Sequence, residues 1–223
     1  MISSLIEVSE EKIFYKNERY KFSIENIKKL NFGKRRKVLI LGEDLYIKKV
    51  ELNKGVKANE DYIENIIERA FWSNDDYLFD YNILKSKSEI IIYAIKGGLR
   101  IRELCDGCES LNIIPIQIYF LNKLKKDIKE KEWEALFTYR ENNYYIFYKD
   151  GYILRSIVES DMLRFIEKYL EIEKEHKVTT YLDNRISSYF DCKDSLFIIK
   201  DFEEILNEKY THKQRFFAKR ICD

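Results

Sequence analysis

The residues best placed by type and spacing to do chemistry are Cys105-Asp106-Gly107-Cys108, a C-x-x-C of the kind that zinc sites and dithiol redox centres share. Zinc needs a full tetrahedral set, and the remaining thiols and imidazoles, Cys192, Cys222, His176 and His212, form no second close pair. A redox dithiol is expected where a helix begins after a strand, whereas these cysteines fall late in a predicted helix over residues 99–111, on one of its faces. They read as two helical cysteines, and no metal is expected. His176 ends a charged helix and His212 lies in a polar segment, so neither has the nearby nucleophile and carboxylate that a triad needs. The adjacent acids Asp75-Asp76 and Glu203-Glu204 open predicted elements, where carboxylates favour the first turn and face water. Gly42-Glu43-Asp44 is acidic and tightly turned, but no second acid, histidine or lysine can be assigned to it, so it reads as a chain reversal without chemistry. No residue is expected to be catalytic and no cofactor is expected.

The elements that must position these residues follow from periodicity. Strands are predicted over residues 5–8, 12–15 and 19–22, and Ser23 caps a short helix to Leu30. The stretch "RRKVLILGEDLYIKKVEL" reads as two strands, 37–41 and 45–52, in a hairpin closed by the Gly42-Glu43-Asp44 turn. In "ANEDYIENIIERAFW", Asn59 caps a helix whose Ile63, Ile66, Ile67, Ala70 and Phe71 form one apolar stripe. Strands at 77–84 and 90–95, the helix over 99–111, a strand at 113–118 and a Lys-rich helix to about 131 complete the first half. The second half reads as strands 135–139, 144–148 and 152–158 with turns at Asn142-Asn143 and Asp150-Gly151. A helix over 161–175, a strand at 178–182, a helical piece at 186–190, a strand at 195–200 and a helix from Phe202 follow. "IFYKNERYKF" (13–22) and "IFYKDGYILR" (146–155) share Ile-Phe-Tyr-Lys at the same place in this order, as a duplication would require.

Composition excludes several classes. The 223 residues carry 40 Lys and Arg against 39 Asp and Glu, a net charge of +1, so no bulk field draws the chain to phosphate backbones or membranes. The N-terminus is not a signal peptide, and no charge-free run approaches the roughly twenty residues needed to span a bilayer. As given, the chain is expected to be soluble. A single proline and seven glycines leave no flexible linker, and the four cysteines fit a reducing compartment better than a disulfide framework. The tyrosine-rich "TYRENNYYIFYKDGYILRS" could stack bases beside Arg140, Lys149 and Arg155, but tyrosine also suits half-buried strands, and packing is the expected role. Binding of nucleic acid is not expected.

The order of elements over 36–121, with "VLILGEDLYIKKVEL", "EDYIENIIERAF", "GGLRIRELCDGCESLNIIP" and "IQIYFLNKLK", resembles the actin-like cytoplasmic proteins of pilus and secretion machines. These are PilM of type IV pilus assembly and the cytoplasmic domain of GspL from type II secretion. The resemblance implies a two-lobed α/β fold of the duplicated RNase H-like kind. The lobes are expected at 1–131, with the hairpin as an insertion, and at 132–223. It further implies a non-catalytic scaffold at the cytoplasmic face of the inner membrane, linking an assembly ATPase to the cytoplasmic segment of a membrane subunit. Alternatives are an actin-like ATPase of the same machinery and an unrelated nucleic-acid-binding module.

Actin-like nucleotide binders place an Asp-x-Gly turn after the first strand of each lobe, where glycine lets backbone N–H groups approach the phosphates. The corresponding turns here are "EVSEEK" (7–12) and "YRENNY" (139–144); neither contains glycine, and Glu10 and Glu11 put negative charge where phosphates would sit. In the resembled secretion family a basic segment ends the cytoplasmic domain before a membrane span. Here Lys213, Arg215, Phe216, Phe217, Lys219 and Arg220 stand in that place as partner-binding or membrane-proximal candidates, with membrane association either indirect or through a missing C-terminal span.

Overall fold

Three short antiparallel strands open the chain in the computed structural model, which describes residues 4–52, 59–71, 76–84, 88–173, 177–190 and 196–207. They are β1 (Ser4–Val8), β2 (Lys12–Tyr15) and β3 (Glu18–Lys21), with Lys16 and Asn17 at positive φ in the second turn. Helix α1 (Ile24–Lys29) starts where the Ser23 hydroxyl accepts the Asn26 N–H, 3.2 Å away. Then β4 (Arg35–Ile40) and β8 (Ser110–Pro115) complete a five-stranded sheet of order β3-β2-β1-β4-β8.

Between β4 and β8 the chain builds a second, smaller sheet. Its members are β5 (Leu45–Glu51), β6 (Tyr77–Leu84) and β7 (Glu89–Lys96), antiparallel in the order β5-β7-β6. The predicted hairpin of β4 and β5 does not form: the two strands belong to different sheets. Val38 to Leu41 are buried on both faces, and β4 already has a neighbour on each side, β1 and β8. The insertion therefore begins at β5, and β4 is the large sheet's own fourth strand. Helix α2 (Glu60–Ala70), capped by Asn59, lays its stripe on the small sheet: Ile63 joins Ile90 and Ile92 in a buried cluster flanked by Ile66, Ile67, Ala70 and Phe71.

Helix α3 (Gly98–Glu103) is shorter than the sequence predicts, and the residues after it turn back at Gly107, whose φ is +68°. Both cysteines consequently lie beyond the helix. The apolar run expected as a strand over 113–118 splits at Pro115: β8 ends there and α4 (Ile116–Leu124) begins. Proline supplies no N–H at a helix start, where none would be bonded, and α4 is apolar on nearly every side because nearly every side is buried.

The second five-stranded sheet contains β9 (Glu132–Tyr139), β10 (Asn142–Lys149), β11 (Tyr152–Glu159), β12 (Thr179–Asp183) and β13 (Phe197–Lys200), in the order β11-β10-β9-β12-β13. β9 to β11 are antiparallel, whereas β12 runs parallel to both β9 and β13. Period-2 alternation along β9 sorts two cores. Phe137 stacks on Phe120 of α4 at 3.7 Å and lies edge-on to Phe202 of α6 (Phe202–Asn207). Leu136 points to the other face and joins Tyr145, Leu182 and Ile186 with Phe165 and Tyr169 of α5 (Met162–Leu170).

The chain divides into two compact units, one of residues 1–38 and 45–113, the other of residues 39–44 and 114–214. Helix α4 packs its Phe120 on Phe137 and Phe202 within the second of these units. The Ile-Phe-Tyr-Lys echo falls on β2 and β10, the middle strand of each three-stranded antiparallel part, and each is followed by a turn with two successive positive φ angles, Lys16-Asn17 and Asp150-Gly151.

Candidate functional site

In the second unit, the turn corresponding to a phosphate loop is Arg140-Glu141, with Arg140 at φ +54°, while Asn142 and Asn143, expected as the turn, are the first residues of β10. Because β12 runs parallel to β9, its last residue, Asp183, arrives beside the end of β9. Asp183 is fully buried and accepts the Thr138 N–H at 3.3 Å. Arg185 then reaches back to it: Nε lies 3.0 Å from Oδ1 and Nη2 lies 2.6 Å from Oδ2, while Nη2 also donates to the Thr138 carbonyl at 2.6 Å. Hydrogen bonding to Asp183 pushes the Arg185 guanidinium further up from its already high range. Asn143 closes the other side, accepting from the Thr138 hydroxyl at 3.0 Å and donating to the Glu159 carbonyl at 3.2 Å.

The Gly42-Glu43-Asp44 turn belongs to the same unit and is bonded into it at every residue. Gly42 N–H donates to the Tyr144 hydroxyl at 2.9 Å, the Glu43 carbonyl accepts Gln117 Nε2 at 2.9 Å, and Asp44 Oδ1 accepts the Val158 N–H at 3.1 Å. Gly42 sits at φ +72°, and a Cβ there would stand 3.1 Å from Asn142 Nδ2, so glycine meets both a backbone and a packing demand. The Asp44 carboxylate tethers the outer edge of β11, which is its role here. The turn is thus an anchor and not the tip of the expected hairpin, and its partners Tyr144, Gln117 and Val158 lie too far along the chain for local reading to find them.

A third polar cluster lies within the sheet's α5 face. Buried Glu134 accepts the Tyr145 hydroxyl at 2.9 Å and the Tyr169 and Thr180 hydroxyls at 3.3 Å each. Burial, followed by the Glu134 charge, pushes the Tyr145 phenol far above its usual range. Three hydroxyls on one carboxylate tie β9, β10, α5 and β12 together, a load shared by a satisfied buried network. Two further tyrosines of this hairpin are packed: Tyr144 is fully buried, and Tyr148 stacks on Trp133 at 4.9 Å.

In the first unit, the Ser9-to-Lys12 turn is closed by a Ser9 N–H to Lys12 carbonyl bond of 2.9 Å and leaves Glu10 and Glu11 exposed. Asp76 is not merely solvated. Its carbonyl accepts the Gly97 and Gly98 N–H groups and its carboxylate accepts the Leu99 N–H, so it caps α3 from a distant part of the chain. Glu203 is exposed, with a 3.7 Å contact to Arg185. Among the described residues no group of three or more His, Cys, Asp or Glu could hold a metal ion, and no helix is long and apolar enough to cross a membrane. His176, His212, Cys192, Cys222, Asp75 and the candidates Lys213, Arg215, Phe216, Phe217, Lys219 and Arg220 lie outside the described residues.

Each large sheet therefore carries the order third, second, first, fourth, fifth in its own strands, with helices between its later strands. That repeated order is the duplicated two-sheet arrangement that the sequence resemblance to actin-like proteins implies. No family model and no curated protein sequence matches the chain. Among solved structures, a Bacteroides thetaiotaomicron protein with an actin-like ATPase fold and unknown function is similar over 92% of this chain and 95% of its own, with 14% identity and a TM-score of 0.46. The PilM-PilN type IV pilus biogenesis complex is similar over 78% of this chain and 67% of its own, with 13% identity and a TM-score of 0.49. The cytoplasmic domain of EpsL, an inner-membrane component of the Vibrio cholerae type II secretion system, is similar over 80% and 79%, with 12% identity and a TM-score of 0.44.

Proposed function

We propose that this actin-like chain is a non-catalytic scaffold of a type IV pilus or type II secretion assembly platform, working at the cytoplasmic face of the inner membrane. The observation that carries the reading is the Asp183–Arg185–Thr138 lock behind the Arg140-Glu141 turn. A phosphate loop needs backbone N–H groups and positive charge directed at the ligand. Here the Thr138 N–H is spent on Asp183, and the Arg185 charge is paired with the same carboxylate. The acidic Ser9-Glu10-Glu11 turn of the first unit supports the same reading, since its charge opposes a polyphosphate.

With the sequence resemblance to pilus and secretion proteins, the partners follow as the cytoplasmic segment of a membrane subunit and the assembly ATPase, with Lys213, Arg215, Phe216, Phe217, Lys219 and Arg220 at or near the membrane-proximal contact. The mechanism is mechanical. ATP-driven motion in the ATPase is transmitted through the protein, whose second unit is stiffened by the Glu134 and Asp183 networks. The test is titration with ATP and magnesium by calorimetry and thermal shift, alongside co-purification with both partners. The expected result is no saturable heat and an unchanged melting temperature, with both partners retained. Saturable binding would add roughly 2.7 kcal/mol of stability at a hundredfold excess over Kd and would overturn the non-catalytic reading.

A further inference from the structure

Cys105 and Cys108 are held as thiols at the ends of a single tight turn. The Cys108 N–H donates to the Cys105 carbonyl at 3.1 Å, and Gly107 supplies the positive φ, +68°, that the third position requires. A turn closed in this way holds its end Cα atoms within about 7 Å, which overlaps the span of about 4.4–6.8 Å that disulfides bridge. Both side chains are half-buried, so reagent can reach them. The turn is also braced from behind: Arg36, itself buried, donates to the Leu104 carbonyl at 2.5 Å, and the Lys34 carbonyl accepts the Glu109 N–H at 2.7 Å.

From this geometry we infer that Cys105 and Cys108 form a reversible dithiol–disulfide modification site whose co-reactant is a low-molecular-weight disulfide. One cysteine thiolate attacks a sulfur of the external disulfide, forming a protein mixed disulfide and releasing one thiolate. The second cysteine thiolate attacks the protein sulfur of that mixed disulfide, forming the Cys105–Cys108 bond and releasing the second thiolate. The two protons lost by the protein go to the two departing thiolates, so the protein is oxidised by two electrons and the external disulfide is reduced by the same two. Cys105 Sγ lies 3.4 Å from the Ile101 carbonyl, and closing the bond exchanges that contact for the sulfur of Cys108.

The experiment uses the full chain carrying Cys192→Ser and Cys222→Ser, equilibrated in reduced and oxidised glutathione at roughly millimolar concentration, then quenched with a thiol alkylator for mass spectrometry. The closed form, about 2 Da lighter and unalkylated, is expected to exceed the glutathione adduct by roughly tenfold or more, because the neighbouring thiol has the higher effective concentration. Adding Cys108→Ser is expected to leave glutathione on Cys105, and Gly107→Val, which strains the turn, is expected to shift the parent chain toward the adduct. Each variant's fold is checked by circular dichroism. A parent chain that accumulates the adduct, or that stays fully reduced while a control peptide dithiol closes, overturns the inference.

Discussion

Asp80 offers a quantitative test of how burial acts in the small sheet. It lies on β6 opposite Tyr93, and burial raises its carboxyl from 3.8 to about 6, against a smaller lowering by the Tyr81 backbone N–H. Below pH 3.8 both the folded and the unfolded chain hold the proton and the site contributes nothing. Between 3.8 and about 6 the unfolded chain has released its proton while the folded chain keeps it, so stability falls as pH rises; above 6 the penalty is complete. Two units at about 1.36 kcal/mol each set an upper value near 3 kcal/mol, and partial exposure reduces it to roughly 1–2 kcal/mol. Asp80→Asn removes the charge at almost constant shape. Urea unfolding of both proteins at several pH values from 4 to 7.5 should show the variant gaining most of that amount relative to the parent as pH rises. A difference that does not change with pH, or a variant less stable at pH 7.5, would refute the assignment.

Other perturbations follow from the second unit. Arg185→Ala strands the buried Asp183 charge and is expected to cost about 3–5 kcal/mol in chemical denaturation, with Asp183→Asn in the same chain recovering part of it. Gly42→Ala is expected to cost about 1–2 kcal/mol through its positive φ and the close Asn142 amide, read as a lowered denaturant midpoint. Tyr144→Phe removes the acceptor of the Gly42 N–H and is expected to cost about 1 kcal/mol, with faster amide exchange at Gly42. Phe137→Ala, which breaks the stack with Phe120 and Tyr144, is expected to cost about 3–5 kcal/mol; near-neutral behaviour would contradict the packing described.

Local chemistry made much of this fold legible. Ser23, Asn59 and Asp161 begin helices with the side-chain caps that their types predict, and the α2 stripe packs where its period places it. Pairing was less legible. An apolar strand, a glycine-containing turn and another apolar strand look alike whether the strands pair with each other or with distant partners, and β4 and β5 take the second course. Residues 116–118 carry no period because α4 is buried all round, so only Pro115 marks the change from strand to helix. The lock behind Arg140-Glu141 left one trace in the sequence, an acid and an arginine two residues apart after a predicted strand. What it bonds to depends on β12 lying parallel to β9, a long-range fact. The Cys105 turn was misread because its Gly107 was taken into a helix that ends four residues earlier, at Glu103.

The bonding of residues 42–44 also bears on synthesis. The Asp44 carboxylate meets the Val158 amide 114 positions downstream, and Gly42 meets Tyr144 102 positions downstream. A ribosome delivers Asp44 long before either partner exists, so these bonds can be made only after most of the chain has emerged. The carboxyl-proximal unit is therefore assembled from non-contiguous pieces, and residues 114–214 expressed alone would lack the acceptor for the Val158 N–H and the donor that Tyr144 receives. Supplying a peptide of residues 39–44 in trans should restore part of that fragment's stability.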